Sequence, residues 1–228
     1  MENKPHDFGK LAEKHVTLRP YVFQNRHGQY SIDWRDPSAT RELTKAILSE
    51  DFQLDWDIPS NQLCPTITLR ANYIHWLKEL MQQNSSSRTG AAVQGVDIGA
   101  GYSCIYPLLG TKIAGWSFLG TDIDPLALEY AASIIERNKL QDKIQLRLAK
   151  EGSVLDGVLS PDESFDFCMC NPPFFETLDD TGLNPVKDFH QAGSANELVT
   201  DGGEVAFVSR IIEDSLILRH QIRSPIFG

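Results

Sequence analysis

Residues Val96 to Leu109 read "VDIGAGYSCIYPLL", and their pattern decides the fold. A short apolar run ends at Ile98, glycines stand at 99 and 101, and an apolar stretch without alternation follows at once. That order is strand, tight turn, helix. Gly99 and Gly101 let the backbone come close to a ligand, and Asp97 stands where a carboxylate can reach a polar head group. Cys104 takes the third glycine position of a dinucleotide fingerprint, so the turn suits a smaller adenosine ligand better than a pyrophosphate.

Downstream of this turn the alternation continues, with "WSFLGTDID" as strand, "PLALEYAASIIERN" as helix, "KIQLRLA" as strand and "FDFCMC" as a fourth strand. Strand and helix in turn predict parallel pairing in a doubly wound α/β sheet. Asp122 ends the second strand about twenty residues after the glycine turn, where a carboxylate can accept both hydroxyls of a ribose. Asp124, followed by Pro125, reads instead as the N-cap of the next helix.

Upstream, "RDPSATRELTKAILSEDF" predicts a helix capped by Asp36, with Pro37 in its first turn and Leu43, Ala46, Ile47 and Leu48 on its apolar face. "LRANYIHWLKELMQQN" predicts another, with Tyr73, Ile74, Trp76, Leu77, Leu80 and Met81 inward, and "NSSSRTG" reads as a flexible link. The chain therefore divides into an N-terminal helical accessory segment, 1–89, and an α/β core, 90–228.

Composition narrows the function classes. With 228 residues and 41% hydrophobic content the chain can bury one substantial core. Its formal charge of -10 repels polyphosphate, so contact with nucleic acid has to rest on local basic patches. Cys64, Cys104, Cys168 and Cys170 lack C-x-x-C spacing and predict buried thiols in a reducing compartment, with no metal site. No apolar run approaches the ~20 residues that cross a bilayer, and the polar start "MENKPHDFGK" does not read as a signal peptide, which implies a nuclear or cytoplasmic protein.

Phe167 to Phe175, "FCMCNPPFF", carries the second piece of chemistry. Two prolines after Asn171 fix both φ angles and remove two donors, so the carbonyls at this strand end stay available to a ligand. In an open α/β sheet this strand end shares a crevice with the glycine turn, which puts Asn171 and Gly99 on one ligand. The Asn171 side-chain oxygen and the Pro172 carbonyl can each accept a hydrogen from an exocyclic amine, directing its lone pair at a methyl donor. Phe174 can stack on an extruded base, with Phe175 packed behind it.

Taken in order, "DIGAG", Asp122 and "NPPFF" resemble class I S-adenosylmethionine-dependent methyltransferases that modify amino groups. More narrowly, "IPSNQLCPTITLRANYIHWL", "DIGAGYSCIYPLLG", "FDFCMCNPPFF" and "GGEVAFVSRIIEDS" are similar to the RNA adenine N(6)-methyltransferases, which include the eukaryotic U6 small nuclear RNA enzyme and the bacterial large-subunit ribosomal RNA enzyme. The resemblance implies a Rossmann-like fold, S-adenosyl-L-methionine as cofactor, S-adenosyl-L-homocysteine as product, and a structured RNA with an extruded adenine as substrate. U6 small nuclear RNA is the first expectation, with messenger RNA hairpins as an additional one; no DNA partner and no membrane partner is expected.

The resemblance further implies cofactor contacts from Arg70, Gly99, Ser103, Asp122, Ser153 and Asn171, beside Asp97 and Gly101 of the glycine turn. It implies a catalytic set of Asn171, Pro172, Pro173 and Phe174. Ribosomal RNA, a protein glutamine, or an inactive cofactor- or RNA-binding role are the other readings. The run "EVAFVSRIIEDSLILRHQIRS" predicts one long helix followed only by "PIFG", so the sheet is expected to be truncated at its C-terminal strands, with "FDFCMC" an exposed edge.

Overall fold

The structure is a computed structural model that describes residues 6–83, 93–150, 154–155, 157–173, 175–177, 198–218 and 220–225. The link at 84–90, Ser153, Phe174 and most of the loop after the Asn-Pro-Pro motif lie outside these residues.

Five strands form one parallel sheet: β3 (Gln94–Ile98), β4 (Ser117–Asp122), β5 (Ile144–Leu148), β6 (Phe165–Cys170) and β7 (Ile222–Pro225), in the order β5-β4-β3-β6-β7. From β3 the chain builds outward to β5, then crosses back so that β6 lies on the other side of β3. That reversal opens a crevice at the carboxyl ends of β3 and β6, the ligand position of a doubly wound sheet. Helices α4 (Ile105–Ala114), α5 (Pro125–Arg137) and α6 (Gly203–Ile217) follow β3, β4 and β6 respectively.

Both faces of the sheet are covered, which explains why all six residues of β6 are buried. Phe167 and Met169 point into one apolar cluster, shared with Phe118 of β4 and with α4 and α5. Cys168 and Cys170 point into the other, with Val96, Ile98, Leu119 and Ile211 of α6.

The edge expected at "FDFCMC" does not occur. Residues Ile222–Pro225 leave the predicted long helix and pair with β6 in parallel register, Phe165 opposite Ile222. The helix stops at Ile217 and Leu218 caps it, with the amide of Leu218 donating to the carbonyl of Asp214. Ile222 is buried beside Phe165, so pairing and burial together outweigh the helical preference of "RHQIRS".

Before the sheet come α1 (Phe8–Lys14), a 3-10 turn at Arg19–Tyr21, a hairpin of β1 (Val22–Gln24) and β2 (Tyr30–Ile32), α2 (Pro37–Phe52) and α3 (Ile67–Gln83). The segment is thus not wholly helical, because the hairpin intervenes. Its turn is closed by Asn25, whose side-chain oxygen accepts from the amides of His27 and Gln29, with Gly28 at φ 73. Asp36 caps α2 as predicted, accepting from the amide of Ser38, and Leu43, Ala46, Ile47 and Leu48 are buried. In α3, Ile74, Leu77 and Met81 are buried, but Trp76 is 48% exposed and does not belong to the apolar face predicted for it.

The N-terminal helices and the sheet share one apolar cluster, running from Leu11 and Leu48 through Ile74 to Leu108 and Phe167. Among the described residues no helix is long and apolar enough to cross a membrane.

Candidate active site

The glycine turn is built by backbone conformation and fixed by the neighbouring strand. Gly99 and Gly101 take φ 73 and 62, the left-handed region in which a side chain is strained. The amides of Gly99 and Ala100 both donate to the carbonyl of Thr121 at 2.9 Å. The amide of Gly101 donates to Oδ2 of Asp122 at 2.8 Å, and Oδ1 of Asp122 accepts from the amide of Asp124 at 2.9 Å. Asp122 is therefore both a wall of the cleft and the clamp that holds the turn to the end of β4. Asp124 caps α5, as its position before Pro125 predicts.

Cys104, in the third glycine position, takes φ 47 and is buried at the start of α4. The backbone keeps the glycine-like conformation even though the residue has changed. This strain is held by the amide of Cys104 donating to the carbonyl of Ala100 and by the helix that follows.

Arg70, Gly99, Gly101, Ser103, Asp122, Asn171 and Pro173 line one open cleft at the crevice. Arg70 arrives from α3, Ser103 from the turn before α4, Asp122 from β4, and Asn171 from the end of β6. Asp97 stands behind this lining, 1% exposed, and neither carboxylate oxygen has a hydrogen-bond partner among the described residues. Burial pushes its pKa well up, the nearby charge of Asp122 adds to this, and Arg70 opposes it. Asp122 is shifted the same way by burial, against the amides of Asp124 and Gly101. Pro172 is buried, while Ser153 and Phe174 lie outside the described residues.

The polar centre of the cleft is a guanidinium. Nη1 of Arg70 donates to the Tyr106 hydroxyl at 2.6 Å and to Oδ1 of Asn171 at 3.0 Å. An arginine has only donors, so this contact sets the Asn171 amide with its oxygen toward Arg70. A carbonyl oxygen has two lone pairs, and the second stays available to another donor.

The lining includes residues that sequence reasoning missed. Leu63 and Pro65 come from the loop before α3, Tyr106 from the first turn of α4, Val199 and Thr200 from the segment before α6, and Phe207 from α6 itself. Thr200 is brought in by backbone pairing, its amide donating to the carbonyl of Phe175, whose own amide donates to Leu198. Only Tyr106 left a usable signal, as a polar-tipped aromatic at the start of an otherwise apolar helix.

Residues 1–224 match the RNA methyltransferase family. The chain belongs to that family. It is 41% identical to the mouse RNA N(6)-adenosine-methyltransferase METTL16 over 97% of its own length and 42% of that protein's. It is 39% identical to the Dictyostelium discoideum U6 small nuclear RNA (adenine-(43)-N(6))-methyltransferase, over 96% of this chain and 44% of the relative. A ribosomal RNA large subunit methyltransferase F of Pseudomonas putida is 38% identical, over 92% of this chain and 73% of that one. The chain thus spans less than half of the mouse and Dictyostelium proteins.

Among solved structures, the hMettl16 catalytic domain in complex with a MAT2A 3'UTR hairpin superimposes with a TM-score of 0.85 at 42% identity, covering 97% of this chain and 76% of that one. The N-terminal domain of human METTL16 in complex with SAH gives a TM-score of 0.81 at 38% identity, covering all of this chain and 81% of that one. The Rossmann-like methyltransferase fold that the resemblance implies is the fold observed.

Proposed function

We propose that this chain transfers a methyl group from S-adenosyl-L-methionine to the exocyclic amine of an adenine in structured RNA, with U6 small nuclear RNA as the first substrate. The observation that carries the reading is the placement of Asn171 at the β6 end of the cleft that the glycine turn and Asp122 also line, with its side-chain oxygen accepting from Arg70. Family membership and the RNA adenosine substrates named for the mouse and Dictyostelium relatives support the choice of amine. The hairpin bound by the hMettl16 domain supports an RNA with local structure, messenger hairpins included.

Residues of the cleft suit the cofactor. A Cβ built on Gly99 would meet no atom within 4 Å, so the turn opens onto free space. Asp97 and Asp122 supply carboxylates behind and beside that space, and Arg70 a cation across from them. When bound, the cofactor supplies a methyl carbon activated by a sulfonium. Asp122 would receive the ribose hydroxyls and Arg70 the methionine carboxylate through paired donors, with Ser103 and, by family resemblance, Ser153 as further contacts. Asp97 would offer its charge to the methionine ammonium from behind the turn.

An adenine amine is a poor nucleophile, since its lone pair is delocalised into the ring. The free lone pair of Asn171 Oδ1 and the Pro172 carbonyl accept its two hydrogens, which favours a pyramidal nitrogen aimed at the methyl carbon. Pro173 keeps the segment extended, and Phe174 stacks on the base at about 1–3 kcal/mol. A nuclear site of action follows from the U6 substrate. The Pseudomonas relative keeps ribosomal RNA as the second reading.

Transfer of labelled methyl groups into a U6 hairpin, a ribosomal RNA fragment and unstructured RNA tests this. The U6 hairpin should be the best acceptor, and Asn171→Ala should lower turnover at least about a hundredfold, with RNA affinity nearly unchanged. Equal turnover in wild type and variant refutes the role of Asn171. Incorporation into none of the three RNAs refutes the function.

A further inference from the structure

We propose that Tyr106 is a positioning residue for methyl transfer, which acts by holding the Arg70 guanidinium where it also fixes the Asn171 amide. The inference rests on the function proposed above and assigns to it a residue that stands in the glycine-turn stretch but was given no role there.

Three observations carry it. First, a single nitrogen of Arg70 serves both acceptors, the Tyr106 hydroxyl at 2.6 Å and Asn171 Oδ1 at 3.0 Å, so the guanidinium is located by the pair rather than by either alone. Second, Tyr106 is itself immobilised. It is 5% exposed in the first turn of α4, and its ring meets Tyr73 of α3 edge-on at 5.5 Å between centroids. Third, the Tyr106 ring belongs to the apolar core while the residue also lines the cleft of Arg70 and Asn171, and its bond to Arg70 ties the hydroxyl to the polar side of that cleft.

The physical need is specific. Arginine has a long, flexible stem, and Arg70 comes from α3 while Asn171 ends β6, so no shared element sets their separation. An asparagine amide has nearly the same shape after a half-turn that exchanges oxygen and nitrogen. Arg70 selects one orientation because it can only donate, and Tyr106 keeps Arg70 in place to do so. Burial raises the pKa of Tyr106, with Arg70 opposing, so the phenol stays a neutral acceptor at physiological pH. A tyrosine that merely fills space would need its ring and not its hydroxyl.

Tyr106→Phe in the full chain removes the hydroxyl alone. With saturating cofactor, kcat on the preferred hairpin should fall about tenfold or more, the scale of a lost bond to a charged group, while KM for RNA stays within about twofold. The melting temperature should change little. A cycle with Arg70→Lys supplies a readout without RNA: each single change should weaken S-adenosylhomocysteine in calorimetry, and the double variant should be no weaker than Arg70→Lys alone. A Tyr106→Phe protein with wild-type kcat, or losses of affinity that simply add in the double variant, overturns the proposal. A wild-type protein that binds S-adenosylhomocysteine but methylates no RNA refutes the function instead, and the calorimetric cycle then still decides whether Tyr106 positions Arg70.

Discussion

Asp97 shows what burial does to a carboxylate that its place in the sequence marks for a ligand. Its place two residues before Gly99 marks it for the cofactor, but the fold puts it behind the cleft, without a hydrogen-bond partner among the described residues. An unpaired buried carboxylate prefers its proton, and the pKa is raised accordingly. The native value lies above the unfolded value of about 3.9. The associated stability is therefore fully present below that value and is lost as pH rises through the native one. Asp122 is shifted in the same direction and contributes to the same loss. Asp97→Asn should thus melt higher than wild type at pH 8 without ligand, with the difference shrinking toward pH 5, and should bind S-adenosylmethionine more weakly. Melting curves across that range, paired with calorimetry, check both parts; a variant less stable than wild type at pH 8 would mean that Asp97 is satisfied in the fold.

At the scale of elements, the joints between the N-terminal segment and the sheet are made by a few named bonds. Asn138, at the end of α5, accepts from the amide of Asp55 at 2.8 Å and donates to the carbonyls of Asp55 and Ile134 at 2.7 and 2.8 Å. Trp56, 2% exposed, donates its indole N–H to the carbonyl of Ser103 in the glycine turn at 2.9 Å. These two contacts predict different outcomes. Asn138→Ala should cost about 1–3 kcal/mol of stability and leave cofactor affinity unaltered, because its bonds lie away from the cleft. Trp56→Phe should lower stability and also weaken the cofactor severalfold, because the carbonyl of Ser103 loses its tether. Denaturant titrations beside calorimetry separate them, and equal affinity losses in both variants would show that the indole bond has no special hold on the turn. Helix starts at Asp36-Pro37 and Asp124-Pro125 were legible from the residues alone, since capping is local. The hairpin of β1 and β2 was not, because each strand has three residues and shows no measurable alternation.

At the scale of the whole molecule, β7 decides whether β6, the strand that ends at Asn171, is an edge. β6 lies between β3 and β7, and the Gln221 side chain ties the approach to β7 onto the carbonyls of Ser160 and Glu163 at 2.6 and 3.1 Å. Ile222→Ala removes a buried side chain from the cluster under α6 and should cost about 2–4 kcal/mol. Removal of residues 219–228 should go further, exposing the backbone of β6 and producing oligomers on size-exclusion chromatography with a lower melting point. A monomer that melts like the intact chain would show that β6 needs no neighbour there.

What the sequence determined by itself was everything whose cause is local or periodic. The glycine turn, the strand-helix alternation, the two Asp-Pro caps and the Asn-Pro-Pro strand end each carry their conformational reason in adjacent residues, and together they specified a doubly wound sheet with its crevice at Gly99 and Asn171. Tertiary structure decided what depends on partners distant in the chain. "IRSP" is a strand only because β6 offers a free ladder and an apolar seat for Ile222. Arg70 and Asn171 stand 101 positions apart, and Tyr106 joins them through a helix that neither motif predicts to meet α3. Asp97 has no hydrogen-bond partner among the described residues because the sheet buries it without supplying a donor there. Periodicity tells which face of an element turns inward, but not which atoms it will find there; that is set by the packing of the other elements around it.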